Sequence, residues 1–162
     1  MKRFARTLLV VAFAAAPFVP VALADDAANE ALVKRFYDAL NTRNYDGLGE
    51  FMAADFVDHN APPGVPPGLE GLKLGLKQFL ILSSDVQISN GPIVVKDNYV
   101  TVWDTIRGTN NGDFMGMKAT NKPFEFHALD LWLIKDGKLA EGWHVEDQLS
   151  LLMQIGALGG PK

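Results

Sequence analysis

The stretch "FEFHALDLWLIKDGKLAEGWHVED", residues 124–147, constrains the fold more than any other part of the chain. Two runs rich in Phe, Leu, Ile and Trp flank Asp136-Gly137, a dipeptide that favours a tight β-hairpin turn. Strands covered on both faces exclude ionisable groups unless these are paired, placed at an edge or functional. Five such groups nevertheless lie here: His127, Asp130, His144, Glu146 and Asp147. The hairpin therefore predicts an antiparallel sheet that contributes polar side chains to a pocket.

The first strand of this hairpin, residues 122–135, has two distinct faces. Alternation places Asp130 on the same face as Phe126 and Trp132, and His127 on the opposite face. Desolvation on an aromatic face would raise the pKa of Asp130, making it a proton donor or a stronger base. The structural alternative is a buried Asp130 that accepts backbone hydrogen bonds or pairs with Arg107. We expect Asp130 to face a cavity and to be functional.

The length of the turn decides which residues of the second strand join Asp130. A two-residue Asp136-Gly137 turn would place Trp143 across from Asp130 on the same face. A three-residue turn that includes Lys135 would instead place Gly142 opposite and bring His144 and Glu146 to the face of Asp130. We favour the three-residue turn, which leaves space over a glycine. Asp130 and His144 would then form an acid/base pair around one substrate.

Helical spacing dominates the first half of the chain and strand patterns the second. Helices are expected over residues 26–43, 45–53, 69–82 and 148–155, and strands over 85–95, 99–109, 122–135 and 138–147. This order predicts an α+β fold, in which N-terminal helices pack in the concave face of a curved antiparallel sheet. The resulting cone would enclose an internal pocket suited to a small apolar molecule.

The N-terminus is typical of a secretory signal peptide. Lys2, Arg3 and Arg6 precede an apolar run broken by two prolines, and Ala22-Leu23-Ala24 supplies a cleavage pattern. We therefore expect residues 1–24 to be a signal peptide, residues 25–162 to be one domain, and the mature protein to be exported without a stable membrane anchor. The chain has no cysteine, so a packed core must stabilise it without disulfides.

Composition and spacing argue against several other functions. The net charge is −4 and no basic stripe is present, so nucleic acid is not an expected partner. The three histidines lie far apart without paired spacing, and no metal site is predicted. The chain has no Gly-x-Ser-x-Gly sequence, so a Ser-His-Asp triad is not predicted. The glycine-rich segment "GTNNGDFMG" joins two strands, whereas a phosphate-binding loop precedes a helix. His59, where a short strand meets a proline-rich loop, is expected at the cavity rim.

Three segments together resemble the SnoaL-like polyketide cyclases, within the larger group shaped like nuclear transport factor 2. These are "FVDHNAPPG…GLEGLKLGLKQF", "RGTNNGDFMGMKATNKPFEF" and "LDLWLIKDGKLAEGWHVEDQLSLLMQIG". The resemblance implies a conical fold, a deep apolar pocket and assembly as dimers or higher oligomers. It also implies cofactor-free intramolecular aldol closure of polyketide esters by an acid/base pair on the last two strands.

Carried over by position, the resemblance points to two residues of the hairpin. Asp130 matches the strand on which the related ketosteroid isomerases place a protonated pocket aspartate. His144 follows the tryptophan of the family's "EHW" sequence, where cyclases carry a pocket acid/base. Three family motifs differ in this chain: "GTH" reads Gly108-Thr109-Asn110, "TGKP" reads Thr120-Asn121-Lys122-Pro123 and "EHW" reads Glu141-Gly142-Trp143.

The sequence thus predicts acid/base chemistry of the cyclase or isomerase type on a small carbonyl compound. Asp130 and His144 are the expected catalytic residues, no cofactor or metal is expected, and a homo-oligomer is expected. The residues expected to contact substrate are His59, Trp103, Phe126, Trp132, Gly142 and Glu146. The alternatives are a non-catalytic binding protein on the same fold, or a hydrolase or dehydratase of the same superfamily.

The signal peptide gives the first testable prediction. Because the small-x-small pattern ends at Ala24, signal peptidase should cleave after this residue. Mass spectrometry of protein collected outside the cytoplasm should find Asp25 at the N-terminus. A mature chain that retains Met1 would contradict export.

Overall fold

The computed structural model describes residues 26–114 and 116–158. The predicted signal peptide, residues 1–24, lies outside the described residues. No helix within the described ranges is both long and apolar enough to cross a membrane.

The described residues form helices against one five-stranded sheet. In chain order the elements are α1 (Asp26–Asn41), a 3₁₀ helix (Asp46–Glu50), β1 (Met52–Asp58), α2 (Gly68–Leu80), β2 (Gln87–Lys96), β3 (Tyr99–Thr109), β4 (Pro123–Lys135), β5 (Lys138–Glu146) and α3 (Gln148–Ile155). The sheet order is β1-β5-β4-β3-β2. The predicted α+β architecture with a curved sheet is confirmed.

Two details differ from the expected pattern. Strands β2 to β5 pair antiparallel as predicted, but β1 joins the edge of β5 in parallel, so the whole sheet is mixed. The helix predicted over residues 45–53 is only a 3₁₀ turn, because the chain enters β1 at Met52. Phe51 and Met52 are both core residues, and their burial alone does not distinguish a helix from a strand.

Helix α1 is held to the sheet by apolar packing and by two asparagines. The apolar stripe of this helix is buried, with Val33 and Phe36 at most 4% exposed. Asn41 exchanges two hydrogen bonds with the backbone of Ile88 in β2, at 2.8 and 2.9 Å. Asn29 donates to the backbone oxygen of Asp97 in the β2–β3 turn at 3.1 Å. These bonds fix which residues of α1 point towards the sheet.

The β4–β5 turn has two residues, so the three-residue turn that we favoured is wrong. Lys135 pairs with Lys138, and Asp136 and Gly137 adopt φ angles of 51° and 71°, as a tight hairpin turn requires. The register then shifts, because Ile134 pairs with Leu139 and Leu133 with Glu141. Ala140 is the extra residue of this β-bulge.

This bulge reverses the facing of the rest of β5. Without it, the two-residue turn would place Trp143 opposite Asp130 on the inner face. With it, Asp130 pairs with His144 and Ala128 pairs with Glu146. The predicted facing of His144 and Glu146 is therefore correct, although the reason is a bulge and not a longer turn.

Gly142 lies opposite Trp132 within an aromatic cluster. The Trp132 ring packs against Phe36, Tyr37 and Phe56, with ring centroids separated by 4.6, 6.5 and 6.1 Å. A Cβ atom on Gly142 would lie 2.9 Å from Phe56 Cζ and 3.3 Å from Trp132 Cζ3. The glycine thus lets two aromatic rings approach β5, instead of opening space beside Asp130 as expected.

This close packing predicts a clear difference between two glycines. Gly142→Ala should lower the free energy of unfolding by about 1–3 kcal/mol, because the added methyl group overpacks the cluster. Gly75→Ala in α2, where a Cβ atom meets nothing within 4 Å, should instead stabilise the helix by about 0.5–1 kcal/mol. Urea denaturation of both variants would measure the difference. Equal effects of the two substitutions would contradict this account of the cluster.

Candidate active site

A cavity of about 450 Å³ lies between the helices and the inner face of the sheet. Side chains of α1 and α2, including Phe36, Leu72, Leu76 and Phe79, form much of its apolar wall. Its ionisable lining consists of Tyr37, Asp58, Asp104, Asp130, His144 and Glu146. An apolar cavity with a few convergent polar groups is the usual form of a small-molecule site.

Asp130 lies on the inner face of β4 and is held by the hydroxyl group of Tyr37. The Tyr37 O–H donates to Asp130 Oδ2 at 2.8 Å, and Trp132 Nε1 donates to the Tyr37 oxygen at 3.2 Å. Burial, followed by the negative charges of Asp130 and Asp104, raises the pKa of Tyr37 well above its usual value. The phenol therefore keeps its proton at neutral pH and orients the Asp130 carboxyl.

The ionisation of Asp130 is balanced near neutral pH. Its pKa is raised to about 7, chiefly by desolvation and against the lowering effect of the Tyr37 hydrogen bond. Within this balance the charges of Asp104 and Glu146 raise the pKa, and the charge of His144 lowers it. A carboxyl with this pKa can both accept and return a proton under physiological conditions.

His144 is held between two carboxylates. Its Nδ1 atom lies 2.7 Å from Glu146 Oε1, and its Nε2 atom lies 3.0 Å from Asp58 Oδ1. These hydrogen bonds, Asp58 first, outweigh desolvation and raise the pKa of His144 to about 10. The ring is therefore an imidazolium at neutral pH, and each of its N–H groups has a carboxylate acceptor.

The two carboxylates are in turn stabilised by His144. Burial alone would raise the pKa of Asp58, but the hydrogen bond from His144 and the backbone N–H of Asn60 leave it lowered. The pKa of Glu146 is likewise lowered, because the His144 hydrogen bond and charge outweigh burial. The three groups thus form a charged triad with a net charge of −1.

Asp130 and His144 face the same cavity but do not form the expected direct pair. Their Cα atoms are direct partners across β4 and β5. The imidazole ring turns towards Asp58 and Glu146, while Asp130 bonds to Tyr37. Asp130 is therefore the group that can take up a proton at neutral pH, and His144 contributes a fixed positive charge.

Asp104 is a cavity residue that the sequence analysis missed. It is 1% exposed and lies on the inner face of β3 between Val102 and Ile106, which are also buried. Asn90 Nδ2 donates to its Oδ1 atom at 2.6 Å. Desolvation raises the pKa of Asp104, against the opposing effects of Asn90 and the nearby Tyr37 hydroxyl. In "VTVWDTI" every second residue is aliphatic except Asp104, and this break in the pattern was the available signal.

Tyr37 and Asp58 were also missed as site residues. Tyr37 belongs to the apolar stripe of α1, so periodicity predicts only that it is buried. Asp58 ends β1, and only the parallel pairing of Asp58 with Gly142 places its carboxylate near His144.

Several predicted substrate contacts lie where the sequence placed them. Trp132, Gly142 and Glu146 line the cavity. The expected contact from Phe126 is wrong, because this residue does not line the cavity. It is fully buried behind the wall, where its ring packs edge-on against Phe79 at 6.4 Å. His127 is exposed on the opposite face of β4, as predicted.

Three expectations need correction. Trp103 does not reach the cavity, because it pairs with Leu129 and its ring contacts His127 on the outer face of the sheet. His59 does not line the cavity either. Its ring stacks at 4.1 Å on Trp143, which does line the cavity, and its Nε2 atom lies 2.9 Å from Glu141 Oε2. The alternative partner for Asp130, Arg107, forms an ion pair with Glu125 on the outer face at 2.6 Å.

The proline-rich loop after β1 is attached to β5 beside His144. The backbone N–H of His59 donates to the Gly142 oxygen at 2.9 Å, and the N–H of His144 donates to Asn60 Oδ1 at 3.0 Å. Pro62 and Val65 from this loop line the cavity. The role of His59 is thus to help position the loop that forms the mouth of the cavity.

The site provides acid/base groups in an apolar enclosure. Asp130 can move a proton, Tyr37 orients it, and the His144 cation can stabilise negative charge that develops nearby. Across residues 26–114 and 116–158, no group of three or more His, Asp or Glu side chains is arranged to hold a metal ion.

Comparison with known proteins agrees with this architecture. The profile of the SnoaL-like polyketide cyclases matches residues 31–155. The aklanonic acid methyl ester cyclase DnrD of Streptomyces peucetius is 26% identical over 134 residues, which cover 77% of this chain and 88% of that protein.

Solved structures show the same fold over most of the chain. TsrD from Streptomyces laurentii has a TM-score of 0.76 and 27% identity, covering 83% of this chain and 98% of its own. IdmH from Streptomyces antibioticus has a TM-score of 0.71 and 29% identity, covering 79% and 98%. With the cavity and its acid/base groups, these matches establish that the chain belongs to the SnoaL-like polyketide cyclase family.

Proposed function

We propose that this protein catalyses cofactor-free ring closure of a polyketide ester by acid/base chemistry in its cavity. The observation that carries the proposal is the Asp130 carboxyl, whose pKa of about 7 suits proton exchange at neutral pH. The similarity to aklanonic acid methyl ester cyclases supports an ester substrate.

Asp130 is the general base in the proposed reaction. In its ionised form it removes a proton from the carbon next to a substrate carbonyl, which produces an enolate and a protonated Asp130. The enolate carbon then attacks a second carbonyl group of the same molecule. Asp130 returns its proton to the alkoxide formed by this attack, so the carboxyl is regenerated and no cofactor is consumed.

His144 supports this reaction through its charge. Its cation lies on the strand next to Asp130 and would stabilise both the enolate and the alkoxide in a cavity with little water. Asp58 and Glu146 each accept a hydrogen bond from one of its two N–H groups. We therefore assign His144 to electrostatic stabilisation and not to proton transfer.

A small-molecule binding protein is the second candidate. The pairing of His144 with two carboxylates favours it, because no N–H of this ring is left to donate to a substrate. Export, which the signal sequence predicts, also suits a protein that captures a small molecule outside the cytoplasm. A hydrolase or dehydratase would use the same Asp130 base with a different substrate.

We also propose that the protein self-associates through the outer face of the sheet. Trp103, Leu129 and Val145 form one row across β3, β4 and β5, and they are 44%, 40% and 60% exposed. An exposed apolar row on a sheet face is the kind of surface that a second copy of the chain would cover.

Substitution of Asp130 tests the catalytic proposal. The mature protein is incubated in D₂O with aklanonic acid methyl ester and related aromatic keto esters, and ring closure and deuterium uptake next to the carbonyl are followed by mass spectrometry. Asp130→Asn should lower both rates by about 10²-fold or more, because the base is lost. The wild-type rate should rise with pH through an apparent pKa near 7, since only ionised Asp130 accepts the proton.

His127→Gln, on the outer face, is the matched control and should keep the wild-type rates. Unchanged rates in Asp130→Asn would contradict the assignment of the base. Binding of the esters without ring closure or deuterium uptake in the wild type would favour the binding protein.

The charged triad of His144, Asp58 and Glu146 predicts a pH-dependent contribution to stability. The folded-state pKa of His144, about 10, lies above its ordinary value of 6.5. Its contribution is therefore fully present below pH 6.5 and is lost as pH rises towards 10. His144→Gln should cost about 2 kcal/mol near pH 6, a value reduced by the partial exposure of the ring, and much less near pH 10.

Urea denaturation of wild type and His144→Gln at these two pH values would measure the effect, with His127→Gln as the control. A difference in unfolding free energy that is the same at both pH values would show that the triad is not electrostatically coupled.

A further inference from the structure

The Asp104 carboxyl has one oxygen atom with a partner and one without. Oδ1 accepts the hydrogen bond from Asn90. Oδ2 is buried and has no hydrogen-bond partner among the residues that the structure describes. The nearby Tyr37 hydroxyl has a single proton, and this proton is donated to Asp130. Asp104 is a lining residue of the cavity, so a bound ligand can supply the missing partner.

A buried carboxyl oxygen without a partner destabilises the folded protein. An aliphatic residue at this position would destabilise the folded protein less, as the neighbouring inner residues Val102 and Ile106 illustrate. The charge of Asp104 adds to the raised pKa of Asp130, but this effect needs no unpaired oxygen. Recognition of a ligand group accounts for the oxygen that has no partner.

A hydroxyl group is the ligand group that satisfies Oδ2 in either protonation state. It donates a hydrogen bond to an ionised carboxylate and accepts one from a protonated carboxyl. A carbonyl or ether oxygen can only accept, and therefore fits only the protonated form.

We infer that the cavity is specific for a ligand that carries a hydroxyl group, and that Asp104 Oδ2 binds this group. The inference rests on the proposed function, because the same ligand presents its reacting carbonyl group to Asp130.

The sheet register places the two aspartates close together. Val102 pairs with Asp130 and Asp104 pairs with Ala128, so the two aspartates are diagonal neighbours on one face. The Tyr37 hydroxyl donates to Asp130 and lies near Asp104, so the two carboxyls converge. The inferred ligand is a flat apolar molecule that carries both a hydroxyl and a carbonyl group.

Three matched compounds test the inference by binding alone: 2-acetylnaphthalene, its 6-hydroxy derivative and its 6-methoxy derivative. Isothermal titration calorimetry is performed on wild type, Asp104→Leu, and the control Asp38→Leu, which alters an exposed aspartate of α1. The wild type and the control should bind the 6-hydroxy compound about tenfold or more tightly than the other two, as a hydrogen bond to a charged group would give. Asp104→Leu should lose this preference and bind 2-acetylnaphthalene at least as well as the wild type does.

Stability provides a second measurement that needs no ligand. Asp104→Leu should raise the Tm, because it removes an unpaired buried carboxyl oxygen. If the larger side chain prevents folding, the isosteric Asp104→Asn replaces it, and it should reduce the preference for the hydroxyl group without lowering the Tm.

The outcomes separate this inference from the proposed function. Binding of all three compounds with equal affinity by the wild type, or a hydroxyl preference that survives in Asp104→Leu, overturns the inference and leaves the Asp130 mechanism intact. A lower Tm in both Asp104 variants would show that the carboxyl is structural, and would also overturn the inference. Failure of the wild type to bind any of the compounds would count against both the inference and the apolar ligand site itself.

Discussion

The β-bulge at Ala140 decides which side chains of the last strand enter the cavity. Side chains alternate between the faces of a strand, so one extra residue exchanges the two faces beyond it. The two-residue turn alone would direct Trp143 and Val145 inwards. The bulge brings in His144 and Glu146 and places Gly142 against the aromatic cluster around Trp132. Both the packing of the core and the charge of the site depend on this single irregularity.

The cavity contains more acidic groups than its one cation can balance. His144 stabilises Asp58 and Glu146 as carboxylates, which leaves Asp130 and Asp104 without a directly bonded cation. Desolvation raises the pKa values of both remaining carboxyls, and the charges of Asp104 and Glu146 add to the effect on Asp130. The protein thus maintains a carboxyl that exchanges protons at neutral pH, and it does so with ordinary side chains in an apolar enclosure.

The two raised carboxyls differ in what surrounds them. Tyr37 donates to Asp130, which orients this group and lowers its pKa relative to burial alone. Asp104 is oriented by Asn90 through one oxygen only, and its other oxygen is buried without a hydrogen-bond partner among the described residues. This asymmetry supports the proposed roles, proton transfer by the first carboxyl and ligand recognition by the second. The carboxyls proposed for chemistry and for specificity are diagonal neighbours on the same face of the sheet.

The sequence by itself determined the α+β architecture, nearly all element positions and the inward facing of Asp130, because each depends on local periodicity and turn chemistry. Family membership was equally visible in three quoted segments. Only the tertiary structure decided the partners of the site residues. The bulge at Ala140 has no local signature, and the parallel pairing of β1 brings Asp58 to His144 from 86 residues away in the chain. Contacts of this kind depend on how separate elements pack, so strand alternation could place Asp130 and His144 in one cavity but could not show that the imidazole bonds elsewhere.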